Sequence, residues 1–312
     1  MLKIVFMGSP DFAVPTLKAL IEHPEIEVCA VVTQPDKPAG RGRQLIEPPV
    51  KICALENKIQ CYQPEKLKTQ EMFDILSAIH PDFFITIAYG KILRQAFLDI
   101  PRLAPLNLHA SLLPKYRGAA PVQWAILNGE KQTGVCLMKM DAGMDTGPVY
   151  TREIIDIAED ETPVTLFEKL SHLSAKVLMD NIFDIANGKL QPTPQEGEPT
   201  AAPPLEKTMG LLDFNQDSRI IAQKIRGLSG WPNAYTFYKG KRLVIHKAAA
   251  MEATSELQPG TIIGLNPDKS LAVACKSGTL AIHTLQLEGK KSSDAESFYN
   301  GYKPAGTMLK NS

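Results

Sequence analysis

A chain of 312 residues is too long for one ordinary hydrophobic core and predicts two domains. With 44% hydrophobic and 22% charged residues and no apolar run near the ~20 residues that span a bilayer, it reads as a soluble globular protein rather than a membrane-spanning one. The zero net charge hides an asymmetry: residues 1–207 carry 21 basic against 26 acidic side chains, and residues 208–312 carry 13 against 8, so an acidic part precedes a basic part that could meet a polyanion.

The N-terminus is apolar only from Ile4 to Met7 and lacks the h-region of a signal peptide. Cys29, Cys53, Cys61, Cys136 and Cys275 are scattered, with no C-x-x-C spacing. That argues against a disulfide framework or a zinc site and fits a reducing cytoplasm.

Residues 1–187 alternate between strand and helix patterns. "KIVFMG" (3–8) predicts a strand. Ser9 and Pro10 then look like the cap and first turn of a helix reaching about Ile21. Further strands are expected at 27–33, 82–88, 103–110, 133–140 and 148–157, with helical patterns between them, among them 121–129 and a long one closing at Gly188. This alternation predicts an open, largely parallel sheet. Residues 189–207 contain five prolines and little apolar periodicity, and read as a semi-extended linker. Beyond it, 217–228 predicts one amphipathic helix. The remainder predicts short strands with tight turns, a small all-β barrel of OB type. The expected domains are therefore 1–188 and 208–312.

The first turn, Gly8-Ser9-Pro10-Asp11-Phe12, is not G-x-G-x-x-G. Pro10 removes a backbone donor and Asp11 puts negative charge where a pyrophosphate would sit, so a nicotinamide dinucleotide site is not expected. Open α/β sheets bind ligands outside the carboxyl ends of their strands. Asn107 and His109 close one strand two residues apart, hence on one face. "MDAGMDTGP" (140–148) follows another strand and carries Asp141 and Asp145, and "IAYGKIL" (87–93) follows a third. If these loops converge, an amide, an imidazole and a carboxylate share one cleft, a set that can stabilise an oxyanion and move a proton. His23, His80, His172, His246 and His283 read as structural, and no second His or Cys near His109 has metal-ligand spacing.

"NLHASLLPKYRGAAP" resembles the signature N-x-H-x-S-L-L-P-x-x-R-G of enzymes that transfer a formyl group from 10-formyltetrahydrofolate, and "MDAGMDTGP" resembles their second signature. "FMGSPDFAVPTLKAL", "VVTQPDKPAGRGRQL" and "LNGEKQTGVCLMKMDAGMDTG" are similar to the methionyl-tRNA formyltransferases within that group. The resemblance implies an α/β fold with a Rossmann-like sheet covered by helices on both faces, followed by an OB-like barrel that binds tRNA. It implies Asn107, His109 and Asp145 as catalytic residues. Ser111, Leu112, Leu113 and Pro114 would contact the folate, with Tyr89 and Gly90 lining the same pocket. Lys37, Arg41 and Arg43, on a Gly- and Pro-rich basic loop, would bind the acceptor stem of initiator methionyl-tRNA. Taken as residues alone, that loop is a solvated surface turn. The co-substrate would be 10-formyltetrahydrofolate, with no metal and no nicotinamide, in a monomeric, cytoplasmic enzyme without a membrane partner. A formyltransferase acting on a sugar amine and a non-catalytic RNA-binding protein are the rival readings.

Overall fold

A computed structural model describes residues 1–39, 44–253 and 255–310. The chain divides into two compact units. The first comprises Met1–Val122, Gln132–Asp156 and Phe167–Pro203, and the second Gln123–Lys131, Ile157–Leu166 and Pro204–Ser312.

The elements follow in order: β1 (Leu2–Gly8), α1 (Val14–Glu22), β2 (Ile26–Val32), the hairpin strands β3 (Lys37–Ala39) and β4 (Gln44–Ile46), α2 (Pro49–Glu56), β5 (Cys61–Tyr62), α3 (Gln70–Ala78), β6 (Phe83–Ile87), α4 (Gln95–Leu98), β7 (Ala104–His109) and β8 (Arg117–Gly118). Then come α5 (Pro121–Leu127), β9 (Gln132–Lys139), β10 (Val149–Asp156), the 24-residue α6 (Pro163–Ala186) and β11 (Ala201–Ala202). The main sheet has the order β10-β9-β7-β6-β1-β2-β5. Its strands from β7 to β5 are mutually parallel, while β9 runs antiparallel to β7 and β10 to β9. The parallel strands β1 and β6 are buried from Ile4 to Met7 and from Phe83 to Ile87, as strands covered on both faces must be. One core gathers Val5, Met7 and Phe84 with Leu76 and Phe97, where apolar side chains from sheet and helices interdigitate.

The start of the first helix differs from expectation. A 3-10 turn, Asp11–Ala13, precedes α1, and Pro10 provides no side-chain cap. Ser9 is used otherwise: its Oγ accepts from the Gln34 N–H at 3.0 Å and from the Thr33 hydroxyl at 3.1 Å, tying the β1 and β2 ends together. Residues 193–203 are also bound in place. Thr193 bridges Val149, and β11 pairs in parallel with β8.

In the second unit lie α7 (Ser218–Gly227), β12 (Ala234–Tyr238), β13 (Lys241–Met251), β14 (Ile262–Leu265), β15 (Leu271–Ala274), β16 (Thr279–Leu287), β17 (Ser293–Asp294) and α8 (Ala295–Tyr302). The strand pattern alone did not predict α8. It starts where the Asp294 carboxylate accepts the Ser297 N–H at 2.7 Å, an N-cap. The antiparallel order is β12-β13-β16-β15-β14. Its two outer strands are joined by the segment 306–310: Phe237 and Lys310 exchange two backbone hydrogen bonds of 3.0 Å, and Leu309 N–H donates to Gly260 O at 2.8 Å. The sheet thus closes as a barrel around Leu243, Ile245, Leu280 and Ile282.

Candidate active site

A cavity of about 490 Å³ opens beside the carboxyl ends of β6 and β7, one strand from the switch point of the sheet order. Asn107 and His109 line it together, as the two-residue period requires. So do Thr86 of β6, Tyr89, Gly90 and Asp145. The apolar part of the wall includes Leu93, Met138, Met140 and the edge-to-face pair Phe12–Phe167, 5.7 Å between ring centroids.

His109 is 6% exposed, and its two nitrogens have different surroundings. Nε2 lies 2.9 Å from the carbonyl oxygen of Tyr116. A carbonyl only accepts, so Nε2 carries the hydrogen and the ring is pinned. Nδ1 faces Asp145 Oδ1 at 3.7 Å, too far for a hydrogen bond but within ion-pair range. Nδ1 is therefore the nitrogen left for chemistry. The Asn107 amide stands in register between Thr86 of β6 and Met138 of β9. It brings an uncharged N–H donor to the same wall.

Asp145 is brought here by its loop rather than by its strand. Because β9 is antiparallel, its carboxyl end pairs with Leu106, not with His109. The loop doubles back. Asp141 Oδ1 accepts the Gly143 N–H at 3.0 Å and the Thr146 hydroxyl at 2.7 Å, and a Cβ on Gly147 would lie 1.9 Å from Lys139 O. Asp145 itself has φ +55°, the left-handed region. Two groups hold it. Its Oδ2 accepts the Gly118 N–H at 2.9 Å, and its carbonyl accepts Gln195 Nε2 at 2.8 Å. The same Nε2 donates to Gly147 O at 2.8 Å, while Gln195 Oε1 accepts from Arg117 Nη2 at 2.7 Å. Arg117 and Gly118 of the first motif thus act as supports for the carboxylate of the second.

Gln195 was missed in the sequence, where it lies in a Pro-rich stretch with no motif around it. Gln195→Ala should lower turnover about ten- to a hundredfold by letting Asp145 drift, with folate affinity nearly kept. Steady-state kinetics check this, and unchanged kcat would remove Gln195 from the site.

Residues 111–114 are placed behind the cavity rather than on its wall. Ser111 is fully buried and its hydroxyl donates to Lys115 O at 2.7 Å. Leu112 packs against Gly134, Leu113 clusters with Cys136, Met138 and Val149, and Pro114 O accepts the Thr200 N–H at 3.3 Å. Tyr89 is 1% exposed, its hydroxyl has no partner among the described residues, and burial pushes its pKa up to about 12. Gly90, at φ +74°, sits on the cavity wall.

Lys37 lies at the root of the β3–β4 hairpin, its Nζ 2.7 Å from Gln34 Oε1, while Arg41 and Arg43 lie outside the described residues. All five cysteines are free, and burial pushes the Cys136 thiol up to about 11, which suits packing and not nucleophilic attack. Among the described residues no cluster of His, Cys, Asp and Glu could hold a metal ion, and no helix is long and apolar enough to cross a membrane.

Comparison with known proteins identifies the family of the chain. The formyl transferase family model matches residues 2–182, and the model for the C-terminal domain of formyl transferases matches 204–303. The chain is 43% identical over 312 residues to the methionyl-tRNA formyltransferase of Citrifermentans bemidjiense, covering 99% of this chain and 97% of that one. It is 45% identical over 300 residues to that of Thermodesulfovibrio yellowstonii, covering 96% of each. Among solved structures it shares its fold with the sugar 3N-formyl transferase WlaRD, with a TM-score of 0.67, 20% identity, and 93% and 99% of the two chains covered. HypX of Aquifex aeolicus in complex with tetrahydrofolic acid matches with a TM-score of 0.60 and 16% identity, over 95% of this chain and 46% of that one. With both domain models matched in order and relatives similar from end to end, the chain belongs to the methionyl-tRNA formyltransferase family.

Proposed function

We propose that this protein transfers the formyl group of 10-formyltetrahydrofolate to the α-amino group of methionyl initiator tRNA. The observation that carries the reading is the pinned imidazole: His109 spends Nε2–H on Tyr116 and presents Nδ1 beside Asp145. The neutral amine attacks the formyl carbon, a C–N bond forms, and the carbonyl oxygen becomes an oxyanion. The Asn107 N–H donates to that oxygen, a contribution of about 3 kcal/mol to the barrier for one such donor. His109 Nδ1 takes the proton the amine loses, and the Asp145 carboxylate stabilises the imidazolium that results. As the tetrahedral intermediate collapses, that proton goes to N10 of the folate, which departs as tetrahydrofolate. The atoms balance without a covalent enzyme intermediate. The apolar wall suits a flat heteroaromatic ring, and Tyr89 and Gly90 border the same space. Residues 111–114 serve the folate in this reading by fixing the turn behind His109.

The first unit then does the chemistry and the second holds the RNA. Lys37 at the hairpin root, with Arg41 and Arg43 of the basic sequence stretch that follows it, serves the acceptor stem, whose ends and opened pairs are better targets than its deep groove. Lys241, Lys290 and Lys291 of the barrel are exposed and suited to meet phosphates, whereas Lys239 Nζ lies 5.3 Å over the Tyr238 ring, Lys224 donates to Leu211 O at 2.7 Å and Arg226 donates to carbonyls of Ala158 and Glu159. The chain acts as a monomer in the cytoplasm, where charged tRNA and reduced folates meet.

The direct test is to incubate the protein with 10-formyltetrahydrofolate and methionyl initiator tRNA and assay for N-formylmethionine. Formylation of a nucleotide-linked amino sugar instead would move the function to the sugar branch. If several phosphates are neutralised, the KM for tRNA should rise steeply with salt, and Arg41→Ala should raise it further without changing folate binding. A salt-independent KM would remove the barrel from the RNA interface.

A further inference from the structure

Gln34 lies between the hairpin and the cavity and uses every polar group it has. Its backbone N–H donates to Ser9 Oγ at 3.0 Å and its carbonyl accepts Gln63 Nε2 at 3.0 Å. Its side chain faces two ways. Oε1 accepts the Lys37 ammonium at 2.7 Å, and Nε2 donates to the Tyr89 carbonyl at 2.8 Å. Lys37 belongs to the hairpin and is exposed, while Tyr89 belongs to the cavity wall. An amide supplies an acceptor for a cation and a donor for a carbonyl from one planar group, which the isosteric carboxylate of glutamate cannot do.

The wall that Gln34 grips needs holding. Ala88 has φ +46° and Gly90 φ +74°, so the chain takes two left-handed steps around Tyr89, one without the freedom of glycine. A Cβ on Gly90 would come within 2.8 Å of Gln34 Nε2, so glycine there leaves room for the amide. The other end is equally anchored. Gln63 Nε2 also reaches Asp36 Oδ1 at 2.6 Å, and Lys51 Nζ lies 2.7 Å from both Asp36 and Glu47. The hydrogen bonds from Gln63 and Lys51 hold the Asp36 carboxyl below its usual range. The hairpin root and the cavity wall are therefore two rigid pieces joined through one side chain.

We propose that Gln34 is a positioning residue that couples the β3–β4 hairpin to the folate wall of the cavity. This rests on the formyl-transfer reading above. A cation on Oε1 polarises the amide and strengthens its N–H as a donor to Tyr89. Whatever draws Lys37 away loosens residues 88–90, so hairpin occupancy changes co-substrate affinity. By linkage the co-substrate changes the hold of the hairpin on its partner by the same factor.

The test uses tetrahydrofolate as the probe, with no RNA present, and isothermal calorimetry on the full chain. Gln34→Ala should weaken binding about tenfold, the loss of one part-buried hydrogen bond and of the hold on the wall that it supplies. Gln34→Glu keeps the partner of Lys37 but cannot donate, and should weaken binding as much while melting at the parent temperature. Lys37→Ala, which removes no cavity side chain, should weaken binding about threefold alone and not at all on top of Gln34→Ala. Tetrahydrofolate affinity unmoved by Lys37→Ala, additive effects in the double variant, or parental affinity in Gln34→Glu would each overturn the coupling. A parent protein that does not bind tetrahydrofolate would overturn the formyl-transfer reading itself, and the coupling with it.

Discussion

Alanine in place of His109 should lower kcat for formyl transfer by about two to three orders of magnitude. The ring takes the proton of the attacking amine and then carries the positive charge that the Asp145 carboxylate stabilises. The proton goes to Nδ1, because Nε2 is committed to Tyr116. The variant should cost only about 1–3 kcal/mol of stability, the loss of the hydrogen bond from Nε2 to Tyr116 O. Asn107→Ala should fall in the same range of kcat, with one oxyanion donor gone. Asp145→Asn is the more diagnostic change. Its amide oxygen can still accept the Gly118 N–H, so the loop stays, but the negative charge facing the imidazole is lost. Because the three groups act on one transition state, double variants should be little worse than the weakest single one. Stopped assays of N-formylmethionine on folded, purified variants decide the matter. Near-parental turnover in all three would remove the proposed site.

The second large effect should come from a residue without a side chain. Gly118→Ala should destabilise the protein by about 1–3 kcal/mol and lower kcat at least tenfold. Gly118 has φ +124°, where a side chain is strained in any surroundings, and a Cβ there would lie 2.7 Å from Ala202 O. That oxygen belongs to β11, which pairs with β8, so neither can yield without unzipping the other. Its N–H is also the donor that fixes Asp145 Oδ2. Gly240→Ala is the matched control. Gly240 has φ +74° in the β12–β13 turn with nothing within 4 Å, so it should lose stability from strain but keep full turnover. Urea denaturation midpoints read beside kcat separate the two. A Gly118→Ala enzyme of parental activity would show that Asp145 does not depend on this anchor.

Asn107 and His109 were legible because a strand has period two, and a polar pair on one face near a strand end is a local pattern. Four of the five parallel strands, β1, β2, β6 and β7, were legible because each is a short apolar run bounded by turn residues, whereas β5, only Cys61 and Tyr62, carries no such pattern. What escaped was pairing direction. Nothing in "TGVCLMKM" reveals that β9 runs against β7, so the placing of Asp145 through a folded-back loop was not foreseeable. Ser9 looked like a cap by residue type alone, but its hydroxyl serves the β2 end, a contact 25 residues away. Gln34 and Gln195 leave no trace for a similar reason. Their value lies in partners 55 and 50 positions away in the chain, and an isolated glutamine carries no periodicity. At 111–114 the family resemblance implied folate contacts, while the packing of Leu113 on Cys136, Met138 and Val149 and the bond from Ser111 to Lys115 O depend on contacts that the motif does not spell out.

The seam made by residues 306–310 has a consequence for the life of the protein in a crowded solution. Closed, the barrel offers no long bare strand edge among the described residues. If a protease clipped this short segment, or it frayed, the N–H of Phe237 and the carbonyl of Gly260 would lose their partners together. Two edges would then face outward, one beside the aromatic pair Tyr235–Phe237. Unpaired strand edges are templates for pairing with another chain. Five residues with no part in the chemistry thus guard the molecule against sticking to its own copies.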